Sequence, residues 1–528
     1  MSPVALAPPP PAPPGGGRTA APTPGVRPRG RADLAAVATR VAVVALIAAA
    51  ALVHASGMWD FPIRVDDEGT YVAQAWAVES GLGLAHYTYW YDHPPAGWLQ
   101  LAAWTYLTDA FDRAPNAVGA GREAMLVAKL ACLVLLYVLA RRLQLRRPTA
   151  LAAVALLAFS PLALEMQRRV FLDNVATPWL LGAFVLALSP RRRIDAVAAG
   201  AVCFGIAVLS KETVLLLFPA FLLQVWLHGD PRNRKFALAL AFTVTALVVG
   251  IYPLFALLRG ELVPGPGHVS LIGSAEWQLF ERPGSGSLFD PASGVRGLIA
   301  HWMDIDPWLL AAGVACAPVA VFVRRLRAIA LAVLIQVVVL ARGGYVPYMY
   351  VIGVLPFGAL LVAGAGEHLW DLRRHLRPAA LVRRVWVPAR VALAAAAALA
   401  ALYVVPAWAR EVEAATTTDH DAPMESAEMW VAEHVPLDAT LVVDDAIWLD
   451  LVRAGRPRDQ VIWFYKLDLD PAVELPNGWR SIDYLVLTAV QYAQFDGMPR
   501  LRTAVEHSEV VASFGEGAEQ VTVYEVQP

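Results

Sequence analysis

The sequence is poor in charged residues and in cysteine. Charged residues make up 17% of its 528 residues, whereas a typical soluble protein carries about 25%. Its three cysteines, Cys132, Cys203 and Cys316, all lie in apolar segments, which excludes a small secreted scaffold held by disulfides. The sequence also lacks a P-loop, a GxGxxG after a strand, a GxSxG elbow and a zinc-type Cys/His cluster. These absences argue against the chemistries that use those motifs, and no nucleic-acid partner is expected.

Long hydrophobic runs dominate the rest of the chain. Hydrophobic residues make up 57% of it and the mean hydropathy is +0.50. Because lipid offers no partner to unpaired backbone groups, segments that cross it must be helices or a closed barrel. The runs are continuous and rich in Ala, Leu and Val, so the sequence predicts an all-α polytopic membrane protein. About eleven spans are expected, at 35–57, 121–142, 149–165, 173–189, 194–210, 213–228, 236–257, 305–323, 327–341, 346–369 and 389–408.

Basic clusters set the predicted orientation. Cytoplasmic loops of membrane proteins carry an excess of Arg and Lys, and such clusters occur at 18–40, 141–147, 191–193, 232–235, 324–327 and 373–384. With these clusters inside, the N-terminus is cytoplasmic and the C-terminus extracytoplasmic in a multi-pass protein of the plasma membrane. The same rule makes residues 95–111, which include Trp98, Trp104 and Tyr106, an interfacial helix on the outer face.

Three regions are expected along the chain. Residues 1–34 are rich in Pro, Ala and Gly, which predicts a disordered cytoplasmic tail. Residues 35–410 form the membrane region, with outer loops at 58–120 and 258–304, and the Gly/Pro-rich second loop suits a mobile lid. Residues 411–528 carry 22 acidic against 7 basic residues and predict a small extracytoplasmic α/β domain. Its expected elements are helices at 427–434 and 446–454, strands at 441–443 and 484–487, and a final edge strand at 521–526.

Three consecutive carboxylates, Asp66, Asp67 and Glu68, follow the first apolar run. Acidic residues in a bilayer are costly unless they line a wet cavity or meet a partner. One interpretation is a general base with a neighbour that orients substrate or holds a metal, because sugar transfer to a hydroxyl needs a carboxylate to take the acceptor proton. The alternative is a solvated loop that ends the helix. Aromatic residues on which sugars stack favour the first interpretation; they are Tyr71, Trp76, Tyr87, Tyr89, Trp90 and Tyr91.

A second polar element is Asp92–His93, directly before two prolines. His93 suits phosphate or metal binding, or acid–base chemistry. The alternative is a polar cap on the interfacial helix, with the prolines in its first turn.

A third element places Arg168 and Arg169 in a short outer loop ahead of Asp173. Two outer arginines run against the positive-inside bias, and pairing with a lipid phosphate explains them, since guanidinium binds phosphate bidentately. The alternative is an Arg–Asp pair with contacts to lipid headgroups.

Two later elements, Lys211–Glu212 and Arg342–Tyr345, place charge at outer helix ends. Each is consistent with a helix-end charge that faces headgroups and with a ligand role. Together the five outer elements combine carboxylates with cations, as expected of a cavity that binds a phosphate and catalyses proton transfer.

The order of these motifs resembles the GT-C superfamily of polyprenyl-phosphate-sugar-dependent glycosyltransferases. The branch most similar contains the protein O-mannosyltransferases and the lipid A aminoarabinose transferase, and is glycosyltransferase family 39-like. The resemblance covers roughly residues 35–370. The matching motifs are Asp67-Glu68, Asp92-His93-Pro94-Pro95 in place of a Lys-Pro-Pro-like motif, Arg169 with Asp173, Ser210-Lys211-Glu212 in place of a Thr-Lys-Gly-type element, and Arg342 with Tyr348 and Pro356.

The resemblance implies a GT-C-like membrane enzyme. Its expected reaction moves a hexosyl or pentosyl group from a polyprenyl-phosphate carrier to an acceptor hydroxyl on the outer face, with inversion. Asp67 is implied as the catalytic base, and Asp173 as a residue that places the acceptor or a metal. Arg169, Lys211 and Arg342 are implied as ligands of the lipid phosphate. A divalent metal is possible, and histidine at position 93 makes phosphate binding pH-dependent unless a neighbouring carboxylate keeps it protonated.

Two other classes of function fit parts of the sequence. A multi-pass transporter or flippase for a lipid-linked or anionic substrate places ionisable residues near the bilayer midplane, often within inverted repeats. Here the charges cluster at outer helix ends, and no repeat is visible. A membrane anchor that presents the acidic outer domain would not explain the Arg168–Asp173 loop. The donor sugar and the acceptor, whether an envelope glycan, a lipid or a protein, are open.

Overall fold

A computed structural model describes residues 29–84, 91–371, 380–470, 473–492 and 495–527. Most of the predicted tail, the aromatic residues Tyr87, Tyr89 and Trp90, and the basic cluster at 373–377 lie outside these ranges. Two compact units comprise residues 1–44 and 45–528. In the first unit, residues 29–44 are helical, and the second unit holds every other described helix and the sheet.

Helices account for nearly all regular structure before residue 418. They are α1 Arg29–Ala55, α2 Asp66–Glu79, α3 Ala96–Thr108, α4 Ala110–Arg113, α5 Ala117–Arg142, α6 Arg147–Phe159, α7 Pro161–Arg168, α8 Leu172–Ala187, α9 Ile194–Ser210, α10 Phe218–His228, α11 Arg234–Val249, α12 Ile251–Leu258, α13 Leu271–Glu276, α14 Gly294–Ile305, α15 Pro307–Ala320, α16 Arg327–Ala341, α17 Leu355–Asp371 and α18 Ala380–Thr417. Short 3₁₀ segments at Glu212–Leu217 and Tyr348–Gly353 lead into α10 and α17.

Five helical segments in the described residues are long and apolar enough to cross a membrane. They are Ala36–Ala55, Ala117–Arg142, Arg234–Leu258, Tyr348–Asp371 and Arg390–His434. The number rises to seven if α6–α7 and α14–α15, which are bent by 61° and 115°, each count as one span. Four further apolar helices have only 10–17 residues. These segments lie at the positions of the predicted spans, so the protein is a polytopic membrane protein, and the count of eleven crossings stays a prediction.

The two bends have a shared cause. Ser160 caps α7 by accepting from the Ala163 N–H, and Asp306 caps α15 by accepting from two backbone N–H groups. A proline follows each cap at the first helical position, where its missing N–H and fixed φ suit a helix start. The Ser160 hydroxyl donates to Asp306 at 2.5 Å, and the Trp408 indole donates to the same carboxylate at 3.1 Å. The Asp306 carboxylate therefore links the two bends to each other and to α18.

The C-terminal region contains a five-stranded mixed sheet. Its strands are β1 Leu441–Val443, β2 Val461–Trp463, β3 Tyr484–Thr488, β4 Ser508–Phe514 and β5 Val521–Val526, in the order β2-β1-β3-β5-β4. The first three strands are parallel, and β5 is antiparallel to β3 and β4. Helices α19 Ala422–His434, α20 Asp445–Arg453, α21 Lys466–Leu469, α22 Ala489–Tyr492 and α23 Pro499–Glu506 accompany the sheet.

The sheet corrects one expectation about its edges. The sequence predicts residues 521–526 as an edge strand, but β5 pairs on both sides, with β3 and with β4. The edges are β2 and β4, neither of which the pattern predicts. β2 has only three residues, and β4 is largely exposed and interrupted by a register shift after Val510.

The sheet region and the helices belong to the same compact unit. Helix α18 continues through residue 410, the predicted boundary, to Thr417. Arg64, which precedes α2, is fully buried and forms ion pairs with Asp421 at 2.6 Å, Glu428 at 2.8 Å and Asp450 at 3.5 Å. The acidic C-terminal region thus packs directly on the first outer loop.

Candidate active site

The first turn of α2 carries the three consecutive carboxylates. Val65 precedes the helix in an extended conformation and has no capping side chain, so Asp66 uses its Oδ1 to accept from the Asp67 N–H at 2.9 Å. Acidic groups in a first turn are favoured by the positive end of the helix dipole. The sequence therefore places the carboxylates on a helix start, and each of them points into different surroundings.

Glu68 is buried in an ion pair. Both oxygens of its carboxylate accept from Arg122, at 3.0 Å from Nε and 2.9 Å from Nη2. The backbone N–H of Val170 adds a third hydrogen bond at 2.9 Å. Because the side chains of Glu68 and Arg122 have no solvent exposure, this pair fixes α2 against α5 and the α7–α8 loop.

Asp67 has a much freer carboxylate. It is half-buried, forms no ion pair in the described part of the chain, and accepts one long hydrogen bond, from the Tyr71 hydroxyl at 3.4 Å. Burial raises the pKa of Tyr71, and the carboxylates of Asp67, Asp92, Asp173 and Glu212 raise it further. Four acidic residues from four separate segments therefore surround one phenol.

His93 links this group to Lys211 and Glu212. Its Nδ1 lies 3.0 Å from Glu212 Oε2, and its Nε2 lies 2.9 Å from Lys211 Nζ. When Nδ1–H donates to Glu212, Nε2 accepts from the lysine ammonium, so the ring is neutral in this arrangement. The Asp92 carboxylate accepts from the His93 N–H at 2.9 Å and holds the turn.

Asp173 lies next to the same lysine. Its Oδ2 is 4.0 Å from Lys211 Nζ, is buried, and has no hydrogen-bond partner in the described residues. It borders a partly open cavity whose polar lining also includes Thr177, Thr213, Gln336 and Tyr350. A carboxylate oxygen that pairs only distantly with a lysine and accepts no hydrogen bond from the described residues is available to a ligand hydroxyl.

Tyr345 brings a late loop to the carboxylates. Burial raises the pKa of Tyr345, Asp67 and Asp66 raise it further, and Arg282 and Lys211 oppose them. The Arg282 guanidinium lies over the Tyr345 ring, 3.4 Å from the centroid. Arg282 comes from the 258–304 loop, so this loop delivers a cation to the site.

Arg342 is exposed, and its side chain forms no hydrogen bond or ion pair with any residue that the structure describes. The Tyr350 phenol lies within electrostatic range of both Arg342 and Asp173. Of the two residues, Asp173 lines the cavity together with Tyr350, whereas Arg342 is not among the residues that line it.

Arg168 and Arg169 are engaged inside the protein. Arg168 is fully buried and donates to the backbone carbonyls of residues 53, 56, 61 and 415. Arg169 donates to the Ile63 carbonyl at 2.8 Å and pairs with Glu165 at 3.3 Å. Arg169 also lies 3.7 Å from Glu68 Oε2. Both arginines therefore have partners inside the protein, and their role toward a phosphate stays a prediction.

Comparison with known proteins supports the fold. The family model of dolichyl-phosphate-mannose-protein mannosyltransferases matches residues 92–255. The structure of ArnT from Cupriavidus metallidurans bound to undecaprenyl phosphate aligns with a TM-score of 0.53 at 16% identity, over 91% of this chain and 97% of that chain. The apo oligosaccharyltransferase of Archaeoglobus fulgidus aligns with a TM-score of 0.52 at 13% identity, over 90% of this chain and 74% of that chain. The chain has the GT-C fold. No curated protein matches it by sequence.

In this GT-C chain the C-terminal region borders the carboxylates. Burial raises the pKa of Asp66, and the nearby carboxylates of Asp67 and Asp444 raise it further. Asp444 belongs to the loop between β1 and α20, and no pattern in the sequence relates it to residue 66. The sequence motifs also did not identify Arg282. Its position in the predicted lid loop could have marked it as a candidate site residue.

The described residues offer no group of three His, Cys, Asp or Glu side chains arranged to hold a metal ion. A divalent metal therefore stays a prediction of the sequence.

Proposed function

We propose that this GT-C protein transfers a sugar from a polyprenyl-phosphate carrier to an acceptor hydroxyl at the outer face of the plasma membrane. The observation that carries the proposal is a cluster of charged groups around His93. Its ring contacts Glu212 at 3.0 Å and Lys211 at 2.9 Å, and Lys211 lies 4.0 Å from Asp173. The Tyr71 ring, whose hydroxyl donates to Asp67, lies 5.9 Å from the His93 ring. Separate helix ends supply these groups, and such charges at helix ends are costly without a ligand or partner. Undecaprenyl phosphate bound to ArnT supports a carrier of this class.

Lys211, Arg282 and Arg342 are the proposed ligands of the lipid phosphate. Lys211 lies in the carboxylate group, Arg282 reaches it through Tyr345, and Arg342 has no internal partner in the described residues. Cations placed where charge grows on the leaving phosphate stabilise the transition state. Arg168 is left out because its Nη1 and Nη2 donate to backbone carbonyls. Arg169 is assigned to holding Ile63 and the carboxylates of Glu165 and Glu68.

Asp67 is the proposed general base. Among the described residues its carboxylate is held only by the Tyr71 hydroxyl, so it can accept a proton from an incoming hydroxyl. The acceptor oxygen bonds to the anomeric carbon as the bond from that carbon to the phosphate oxygen breaks, and the polyprenyl phosphate leaves with the bonding electrons. Attack from the face opposite the phosphate inverts the anomeric centre. Glu68 acts by fixing α2, since its buried carboxylate accepts from Arg122 and from the Val170 N–H.

The remaining predicted residues surround this reaction. Asp173 is proposed to bind a hydroxyl of the acceptor or the sugar through its unpartnered oxygen. Asp66, Asp92, Tyr71 and Tyr345 form the polar and aromatic wall near the base. The N-terminus is proposed to be cytoplasmic and the sheet region extracytoplasmic, where a glycan, lipid or protein acceptor is accessible.

The test uses the full-length protein reconstituted in liposomes with a panel of polyprenyl-phosphate hexoses and pentoses. Wild type consumes one of these donors and forms free polyprenyl phosphate. Asp67→Asn lowers the rate by roughly 10²–10⁴-fold, the usual contribution of a general base. Asp112→Asn is the matched control, because Asp112 is an exposed carboxylate of the same outer loop.

Transfer by Asp67→Asn at the wild-type rate would contradict the assignment of the base. Movement of the lipid across the bilayer without loss of its sugar would contradict the transferase and indicate a flippase.

A further inference from the structure

Helix α2 and helix α20 approach each other more closely than side chains allow. A Cβ built on Gly69 would lie 2.0 Å from the carbonyl oxygen of Asp445 and 2.4 Å from the Ala446 nitrogen. Backbone atoms cannot move aside as a flexible side chain can, so the contact requires glycine at position 69. The N-terminus of α20 is therefore seated directly on the first turns of α2.

A side-chain bond fixes the same contact. The Thr70 hydroxyl donates to Asp445 Oδ2 at 2.5 Å, and both residues are buried. Asp445 Oδ1 is buried without a partner in the described residues. Asp444, the N-cap of α20, accepts from its own helix and from Thr488 and Gln491 on the sheet side, so α20 is held firmly by the C-terminal region.

Glu68 completes the arrangement on the opposite side. Arg122 and the Val170 N–H hold Glu68, while Asp445 holds Thr70 two residues later. Asp67 lies in the same turn and has only the long Tyr71 bond of its own. The position of the Asp67 carboxylate is therefore set by the helix that carries it, and that helix is fixed from both sides.

We propose that Asp445 is a positioning residue for sugar transfer, which acts through Thr70 to place the Asp67 carboxylate. The C-terminal sheet region is then part of the catalytic machinery and more than a module that binds acceptor. This inference rests on the proposed role of Asp67, and its test separates failure of the two.

The test compares single variants of the full-length protein. Thr70→Val removes the donor and keeps the shape of the side chain, and Thr70→Ser restores the hydroxyl. Thr105→Val is the matched control, because the buried Thr105 hydroxyl donates to Glu79 at 2.6 Å at the other end of α2. Hydrogen–deuterium exchange of the amides at 67–72 and the kinetics of the donor that wild type consumes are measured for each variant.

Thr70→Val is expected to speed exchange at 67–72 and to lower kcat by roughly 10- to 100-fold with little change in KM, since small misplacements of reacting groups cost up to about 10²-fold. Thr70→Ser is expected to return both values to those of wild type. Thr105→Val is expected to speed exchange at the far end of α2 and to leave kcat within about twofold of wild type. If the Thr70–Asp445 bond were purely structural, Thr70→Val and Thr105→Val would both lower thermal stability, and kcat would not differ between the two variants.

Unchanged exchange at 67–72 in Thr70→Val would overturn the positioning role whatever the donor, as would a wild-type kcat in that variant. If Asp67→Asn kept full activity while Thr70→Val showed faster exchange, the proposed base would be overturned. The Thr70–Asp445 contact would still be shown to hold the first turns of α2. Asp445→Ala supplies a second variant if Thr70→Val does not fold, with the same expected exchange and kcat.

Discussion

Arg122 on α5 donates two hydrogen bonds to the carboxylate of Glu68 on α2, at 3.0 and 2.9 Å, in a site without solvent exposure. A carboxylate in the first outer loop is thus neutralised by a residue 54 positions later. The neighbouring Asp67 has no such cation. Two adjacent acidic residues therefore lie in different surroundings: Glu68 holds the helix, and Asp67 is the proposed base.

Substitution of Arg122 is predicted to lower the free energy of unfolding. Arg122→Met removes two hydrogen bonds to the buried Glu68 carboxylate and leaves Arg169, 3.7 Å away, as its more distant cation, so the expected loss is at or below the about 3–5 kcal/mol that breaking a buried pair costs. The thermal unfolding temperature in detergent measures it. The double variant Arg122→Met with Glu68→Gln should recover part of the loss, because the unpaired charge is gone. Equal unfolding temperatures for the single and double variants would contradict the charge argument.

Binding of polyprenyl phosphate is predicted to weaken as pH rises. Burial and Lys211 lower the pKa of His93, but Glu212 and Asp92 outweigh them, so the pKa lies above the ordinary 6.5. Protonated His93 would point Nε2–H at the Lys211 ammonium 2.9 Å away, which pushes Lys211 toward an anion. The extra charge is present below the pKa and is lost above it. Affinity for polyprenyl phosphate, measured between pH 5.5 and 9 by native mass spectrometry, should fall across this range.

His93→Lys is the control for that titration. The lysine carries a fixed charge, so only the titration of the ligand phosphate remains. A pH dependence identical to that of wild type would show that His93 does not contribute.

Arg282 is predicted to bind the lipid phosphate. Arg282→Ala should raise the Kd for polyprenyl phosphate about tenfold or more, since hydrogen bonds to charged groups contribute about 1.5–3 kcal/mol. Arg296→Ala tests the specificity of the effect, because Arg296 is an exposed arginine of the same loop. Equal losses in both variants would mean that the loop acts through its overall charge.

Arg64 is predicted to hold the acidic region in place. It is buried among Asp421, Glu428 and Asp450, so Arg64→Met leaves three carboxylates without their shared cation. The expected loss is about 3–5 kcal/mol, seen as early unfolding and as proteolysis within residues 411–528. Arg453→Met removes an exposed partner of Asp112 and should cost less than about 1 kcal/mol. Similar losses for the two variants would argue against a special role for the buried arginine.

The sequence predicts the helical membrane region and much of the site, because both depend on local signals. Apolar run length marks the helices, and charge at outer helix ends marks Asp67, His93, Asp173, Lys211 and Glu212. The GT-C resemblance is confirmed at the level of the fold. The number of crossings, the orientation and the catalytic roles stay predictions.

The missed features depend on contacts distant in sequence. The sequence predicts Arg168 and Arg169 as phosphate ligands. Hydrogen bonds from a guanidinium to backbone carbonyls do not depend on side-chain identity, so the sequence contains no sign of them. Arg282 is a single arginine in a Gly/Pro-rich loop. The Thr70–Asp445 bond joins residues 375 positions apart, and no periodicity reports such a pair.

Gly69, which allows α20 to pack closely on α2, also bears on the order in which the site forms during synthesis. A growing polypeptide that has already threaded its first segments through the bilayer still lacks the part that steadies the reactive carboxylate. That support arrives only once the C-terminal sheet region has been synthesised and folded. Under the proposed role of Asp67, the order of synthesis delays activity until the whole chain is complete.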